Sequence, residues 1–152
     1  MLKTIIAGCT AILSLLVLGA CDDTIHVQQK YGFALSTWYL PQTIRQGEAV
    51  EIRFTLTREG YFTGAEYFIS YVQTEGAGEV CDTGGALLIS REYYALRDIP
   101  GIENGVFTLF YTSLSDRPSR LKFTVTDNFG QMQELEIEFQ NGTGKQLSIR
   151  EK

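Results

Sequence analysis

Val50-Glu51-Ile52-Arg53-Phe54-Thr55-Leu56-Thr57 alternates apolar and polar residues without a break. Successive side chains on a strand point to opposite faces, so this stretch reads as a strand with one face in a core and the other in water. Leu121-Lys122-Phe123-Thr124-Val125-Thr126 repeats the pattern, and so does Leu135-Glu136-Ile137-Glu138-Phe139. Residues 67–72 and 106–112 are apolar or aromatic on both faces, as central strands are. Residues 33–40 and 91–96 are weaker strand candidates. Arg45-Gln46-Gly47-Glu48, Arg58-Glu59-Gly60, Glu75-Gly76-Ala77-Gly78, Pro100-Gly101 and Asp127-Asn128-Phe129-Gly130 supply turn residues between them. No amphipathic helix interrupts the series. Seven or eight short strands in roughly 110 residues predict an all-β fold, an immunoglobulin-like antiparallel β-sandwich. A small β-barrel is the alternative.

The N-terminus has a different character. Lys3 is followed by an apolar run from Ile5 to Leu18 and then by Leu18-Gly19-Ala20-Cys21. A cation, a short apolar stretch and small residues before a cysteine have the layout of a bacterial secretory signal ending in a lipobox. Cys21 is then the mature N-terminus, carrying a thioether-linked diacylglycerol and an N-acyl chain. At about 0.8 kcal/mol per buried methylene, several acyl chains make such an anchor nearly permanent. A transmembrane helix is the competing interpretation, but the run falls short of the roughly 20 residues a span needs, and Asp22-Asp23 follow directly. The expected organisation is a cleaved signal at 1–20, a lipidated tether at 21–32, a sandwich at 33–140 and a polar tail at 141–152. Fully extended, the 11 residues from Asp22 to Gly32 reach about 36–40 Å.

Removal of residues 1–20 leaves 132 of 152 residues, enough for one domain with its own core. Loss of Lys3 takes the formal charge from −5 to −6. An acidic domain lacks the basic stripe that displaces counterions from nucleic acid, so no direct nucleic-acid contact is expected. Cys9 leaves with the signal and lipid consumes Cys21, so Cys81 has no internal partner and stability must come from the apolar core. Cys81 is expected in a Gly-rich loop, residues 76–85, as an incidental small residue.

Catalytic residue types are sparse. The single histidine, His26, falls in the tether, where nothing fixes the geometry a nucleophile–base pair requires. No Cys/His cluster or calcium-type carboxylate loop is present, so no metal, cofactor or small-molecule substrate is expected. Glu134, Glu136 and Glu138 share one strand face, with neighbours about 7 Å apart. That spacing suits an inverting carboxylate pair. It equally suits the wet face of a sandwich strand paired across the sheet with Lys122. The second interpretation is preferred, because acid and base need different environments.

Aromatic residues are the remaining conspicuous feature. Tyr61-Phe62, Tyr93-Tyr94 and Phe110-Tyr111 are adjacent pairs, and on strands one ring of each faces outward. Tyr61, Phe62, Tyr93 and Tyr94 are the candidate partner contacts, with the Gly60-Tyr61-Phe62 segment the foremost exposed patch. Trp38, shortly before Pro41, is expected as a sheet-edge residue or a core plug.

Gln46-Gly47-Glu48-Ala49-Val50-Glu51-Ile52-Arg53, with Leu56-Thr57-Arg58-Glu59-Gly60-Tyr61-Phe62, resembles the TraQ family of conjugal transfer proteins of Bacteroides-type conjugative transposons. The resemblance continues through Tyr67-Phe68-Ile69-Ser70-Tyr71, Phe107-Thr108-Leu109-Phe110-Tyr111-Thr112-Ser113 and Asp127-Asn128-Phe129-Gly130-Gln131. Cys21-Asp22-Asp23 also fits, and residues 76–85 match least well. These are strand and turn residues, which mark a family without marking a catalytic site.

The resemblance implies a non-enzymatic lipoprotein of a mating apparatus, a type IV-like secretion system, with other envelope proteins of that apparatus as partners. Open sheet edges offer one contact mode, by strand addition. It also implies a lipid-anchored envelope location. Acidic residues after the cysteine resemble a surface-export signal of Bacteroidetes, which favours the outer membrane over the inner. The alternative function is a surface immunoglobulin-like module that holds a glycan or other ligand. Such a site needs outward rings converging with polar groups on a concave face.

Overall fold

A computed structural model describes residues 31–142. Its strands are β1 (Phe33–Thr37), β2 (Thr43–Ile44), β3 (Ala49–Arg58), β4 (Tyr67–Glu75), β5 (Gly78–Asp82), β6 (Leu87–Leu88), β7 (Tyr94–Ala95), β8 (Val106–Ser113), β9 (Ser119–Asp127) and β10 (Met132–Asn141). One 3-10 turn, Leu96–Asp98, follows β7. The strands form two five-stranded sheets, ordered β1-β3-β8-β5-β6 and β2-β10-β9-β4-β7. Among the described residues no strand pairing joins the sheets, so the fold is an open sandwich and the barrel alternative is set aside. Across the two sheets β1, β3, β8 and β5 occupy the places of immunoglobulin strands A, B, E and D, while β10, β9 and β4 occupy G, F and C. The neighbouring pairs are antiparallel except β2, which runs parallel to β10 through Gln140↔Thr43 and Asn141↔Ile44.

The alternation read from the sequence sets the core. Val50, Ile52, Phe54 and Leu56 of β3 are buried, and so are Leu121, Phe123 and Val125 of β9 and Ile137 and Phe139 of β10. Each such side chain contributes about 1.5–3 kcal/mol on burial. Immunoglobulin domains commonly cross-link strands B and F with a disulfide packed on a strand-C tryptophan. Aromatic packing takes that place here. Phe54 of β3 meets Phe123 of β9 edge-on with ring centroids 4.9 Å apart, and Tyr71 of β4 lies 6.0 Å from Phe123. The Tyr71 hydroxyl donates to the Leu88 carbonyl at 3.1 Å, so its one polar atom is satisfied inside the core. Tyr111 of β8 is also fully buried and its ring lies on the backbone of Gly78, where a Cβ would come within 2.4 Å of it.

The structure departs from the expectation in several places. The described residues form ten strands rather than seven or eight, because β2, β6 and β7 are two residues each, too short to carry a period. Residues 76–85 are not one Gly-rich loop: β5 runs through them and pairs with β8, putting Cys81 on a strand opposite Phe110. The weaker candidates shorten to Phe33–Thr37 and Tyr94–Ala95. Tyr31 and Gly32, assigned to the tether, have carbonyls that accept from Gln131 Nε2 and the Glu59 amide at 2.9 Å each. Asn141 and Gly142, assigned to the tail, end β10 and bond to the Ile44 carbonyl respectively.

Candidate functional site

Cys21, His26, Asp22 and Asp23 lie outside the described residues. Glu134, Glu136 and Glu138 project from the outer face of β10, as their alternation requires, with Leu135, Ile137 and Phe139 turned inward. They are tied in ion pairs: Lys122 to Glu134 at 3.0 Å, and Arg120 to Glu136 and Glu138 at 3.3 and 3.2 Å. The cross-strand pairing with Lys122 is therefore present, reaching Glu134 diagonally from its register partner Glu136. All three carboxylates share one open, cation-neutralised face, so nothing there separates an acid from a base. Among the described residues no group of three His, Cys, Asp or Glu side chains could hold a metal ion. No described helix is long and apolar enough to cross a membrane.

The four candidate contact residues divide in two. Tyr61 and Tyr93 are 84% and 54% exposed. Phe62 is half-buried against Phe129, centroids 5.3 Å apart, and fixes the loop between β3 and β4. Tyr94 is half-buried beside the core, its hydroxyl accepting from the Ile89 amide at 2.8 Å and donating to Glu92 at 3.3 Å. Tyr61 and Phe62 lie in a loop and Tyr93 precedes β7, so loop geometry and not strand alternation decides which ring faces out. The structure does not gather the four into one concavity.

Two concave surfaces use other residues. One, of about 430 Å³, lies beside β1 and β3 and is lined by Trp38, Tyr39, Glu48, Glu51 and Arg53, among others. Trp38 is a sheet-edge residue and not a core plug: it is 56% exposed, donates from Nε1 to Thr55 Oγ1 at 3.1 Å, and has the Arg53 guanidinium 4.4 Å from its ring centroid. Tyr39 is 92% exposed. The sequence signal for both was available, since two adjacent rings before Pro41 sit where a strand must end.

The other concavity, of about 380 Å³, opens where the sheets part at one end of the sandwich. Leu56 and Arg58 from the end of β3, Ala65 and Glu66 before β4, and Leu96 and Arg97 after β7 line it, with Thr63, Tyr67, Ala95, Ile102 and Gly105 completing the wall. Arg97 pairs with Glu66 across its rim. The Arg58 guanidinium lies 5.2 and 5.9 Å from the ring centroids of Tyr61 and Tyr67. Partial burial raises the Tyr67 hydroxyl above its ordinary value, against the lowering effect of Arg58 and with a further push from Asp127. Tyr67 therefore stays a neutral donor at physiological pH. Sequence spacing brings out Tyr61 but not this pocket, which is assembled from four separate segments.

Comparison with known proteins places these features in a family. The family model for TraQ conjugal transfer protein matches residues 4–142. A conjugative transposon lipoprotein of Bacteroides eggerthii DSM 20697 is 34% identical, with a TM-score of 0.63, covering 72% of this chain and 98% of its own. A lipoprotein of Bacteroides thetaiotaomicron is 35% identical at the same TM-score of 0.63, covering 86% of this chain and 97% of its own. A conjugate transposon protein of Bacteroides vulgatus is 27% identical with a TM-score of 0.61, covering 81% and 95%. No curated protein matches significantly. With a family match that runs through the whole sandwich, the chain belongs to the TraQ conjugal transfer protein family.

Proposed function

We propose that this protein is a non-enzymatic, lipid-anchored component of the conjugative transfer apparatus that works by contact with other envelope proteins. The observation that carries this reading is the family match over residues 4–142, which includes both the lipobox and the sandwich. The lipoprotein descriptions of the Bacteroides eggerthii and Bacteroides thetaiotaomicron relatives support lipidation at Cys21. Acidic Asp22 and Asp23 next to that cysteine favour the outer membrane. The ion-paired glutamates on an open face support a non-catalytic role. Exposed Tyr61, Tyr93, Trp38 and Tyr39 are the residue types that anchor protein interfaces. Labelling donor cells with a palmitate analogue tests the anchor: the protein takes up label, and a Cys21→Ala variant does not. Replacing Tyr61 or Tyr93 by alanine tests the contacts, through transfer frequency at unchanged protein level.

A glycan-binding role is the second reading, favoured by the Trp38–Tyr39 concavity with Glu51 and Arg53 on its rim. Trp38 is the only tryptophan, so its fluorescence reports that surface directly. A saturable shift on titration with envelope polysaccharide supports the glycan reading, and an unchanged spectrum supports the protein-contact reading.

A further inference from the structure

Arg58 is the unusual group in the pocket at the end of the sandwich. No carboxylate of the described residues comes within ion-pairing distance of it, although the chain has an acidic formal charge of −5. Its neighbour on the rim, Arg97, is neutralised by Glu66. Arg58 instead rests against the faces of Tyr61 and Tyr67, which restrict its guanidinium while leaving its in-plane N–H donors available. Beneath it the floor is apolar: Leu56 and Leu96 are buried, and Ile102 packs on the core. An oriented guanidinium over an apolar floor recognises a carboxylate carried beside an apolar group, since each alone would use half of the site. At about 380 Å³ the pocket has the scale of one or two side chains and not of an extended ligand.

We propose that this pocket seats an acidic side chain on Arg58 and the neighbouring apolar side chain on Leu56, Leu96 and Ile102, both from a short segment of a partner protein. The proposal rests on the protein-contact reading above and names the chemistry of one contact. Gly105, Ala65 and Ala95 line the pocket and their amides report its occupation. Glu66 is the opposing charge, since it repels an incoming carboxylate and holds Arg97 away from it.

The test is an amide NMR titration of the full-length protein in detergent micelles with two blocked tetrapeptides. One carries leucine followed by aspartate, the other leucine followed by asparagine. The aspartate peptide is expected to shift the Gly105, Ala65 and Ala95 amides saturably and to bind about tenfold more tightly than its asparagine counterpart. Arg58→Gln abolishes that preference with the fold intact, because the side chain is exposed. Glu66→Gln strengthens binding. Equal binding of the two peptides, no shift at these amides, or an undiminished preference in Arg58→Gln overturns the proposal. Transfer assays keep the two levels apart. If deletion abolishes transfer while Arg58→Glu leaves it intact, the pocket proposal fails alone; if deletion itself is without effect, the protein-contact reading fails.

Discussion

Asp82 and Asp127 hold the same place in two copies of one turn. In each, the aspartate carbonyl accepts from the glycine three residues on, at 3.1 Å for Gly85 and 3.3 Å for Gly130. The aspartate amide donates to the carbonyl four residues on, at 3.0 Å to both Ala86 and Gln131. Gly85 and Gly130 have φ of +84° and +81°, the left-handed position of a type I turn with a glycine bulge. Both carboxylates are buried and accept backbone amides: Asp82 from Gly84 and Ala86, Asp127 from Phe129 and Gln131. Asp127 also accepts from Gln131 Nε2, which in turn donates to the Tyr31 carbonyl. The chain's entry into the sandwich is thus fastened to the β9–β10 turn.

Truncating either aspartate removes two hydrogen bonds from backbone amides within its turn, at about 0.5–1.5 kcal/mol each. Asp127→Ala is expected to destabilise more than Asp82→Ala, because it also releases Gln131. Urea unfolding of both variants against the parent checks the order. Equal midpoints would contradict the role assigned to Gln131.

Phe123 sits where the two sheets are pinned without a disulfide, against Phe54 and Tyr71. Phe123→Ala is expected to cost about 3–5 kcal/mol, a large share of the roughly 5–15 kcal/mol that holds a domain folded. A urea midpoint far below that of the parent is the expected result.

Cys81 on β5 is half-buried, and burial pushes its thiol above the ordinary value, with Asp82 and Glu79 adding to the shift. A raised value lowers the thiolate fraction, so alkylation by iodoacetamide at pH 8 is expected to be slower than in the urea-unfolded chain. Cys81→Ala leaves transfer unchanged if the residue has only a packing role. The alkylation rates in buffer and in urea check the first statement directly.

Glu134→Gln, Glu136→Gln and Glu138→Gln each remove one exposed ion pair on the outer face of β10. Such pairs contribute about 0–1 kcal/mol, so all three variants are expected to keep parental stability and transfer frequency. A large transfer defect in one variant alone would point to chemistry on that face.

The parts of the fold legible in the sequence are those whose period is local. β3 and β10 bury alternate residues, β9 does so except at Thr124, which is also buried, and Val50, Phe123 and Ile137 lie on the faces their alternation assigns. β5 was hidden because Gly78-Glu79-Val80-Cys81-Asp82 is flanked by glycines and has no β-branched run; the pairing with β8 makes it a strand. Asp82-Thr83-Gly84-Gly85 carries the same turn signal as Asp127-Asn128-Phe129-Gly130, but no periodic stretch precedes it to mark it as a hairpin turn. Exposure of Tyr61 followed from its turn. The burial of Phe62 and Tyr94 depends on Phe129, Ile89 and Glu92, which sequence spacing does not bring to them. The Arg58 pocket joins segments from Leu56 to Gly105, so no linear pattern announces it.

Conjugation frequency from a donor deleted for this gene tests the central claim most directly, with complementation by the parental chain or by Cys21→Ala. The account predicts that transfer collapses on deletion, returns with the parental chain, and stays low with Cys21→Ala expressed at an equal level. Unchanged transfer in the deleted donor would contradict it.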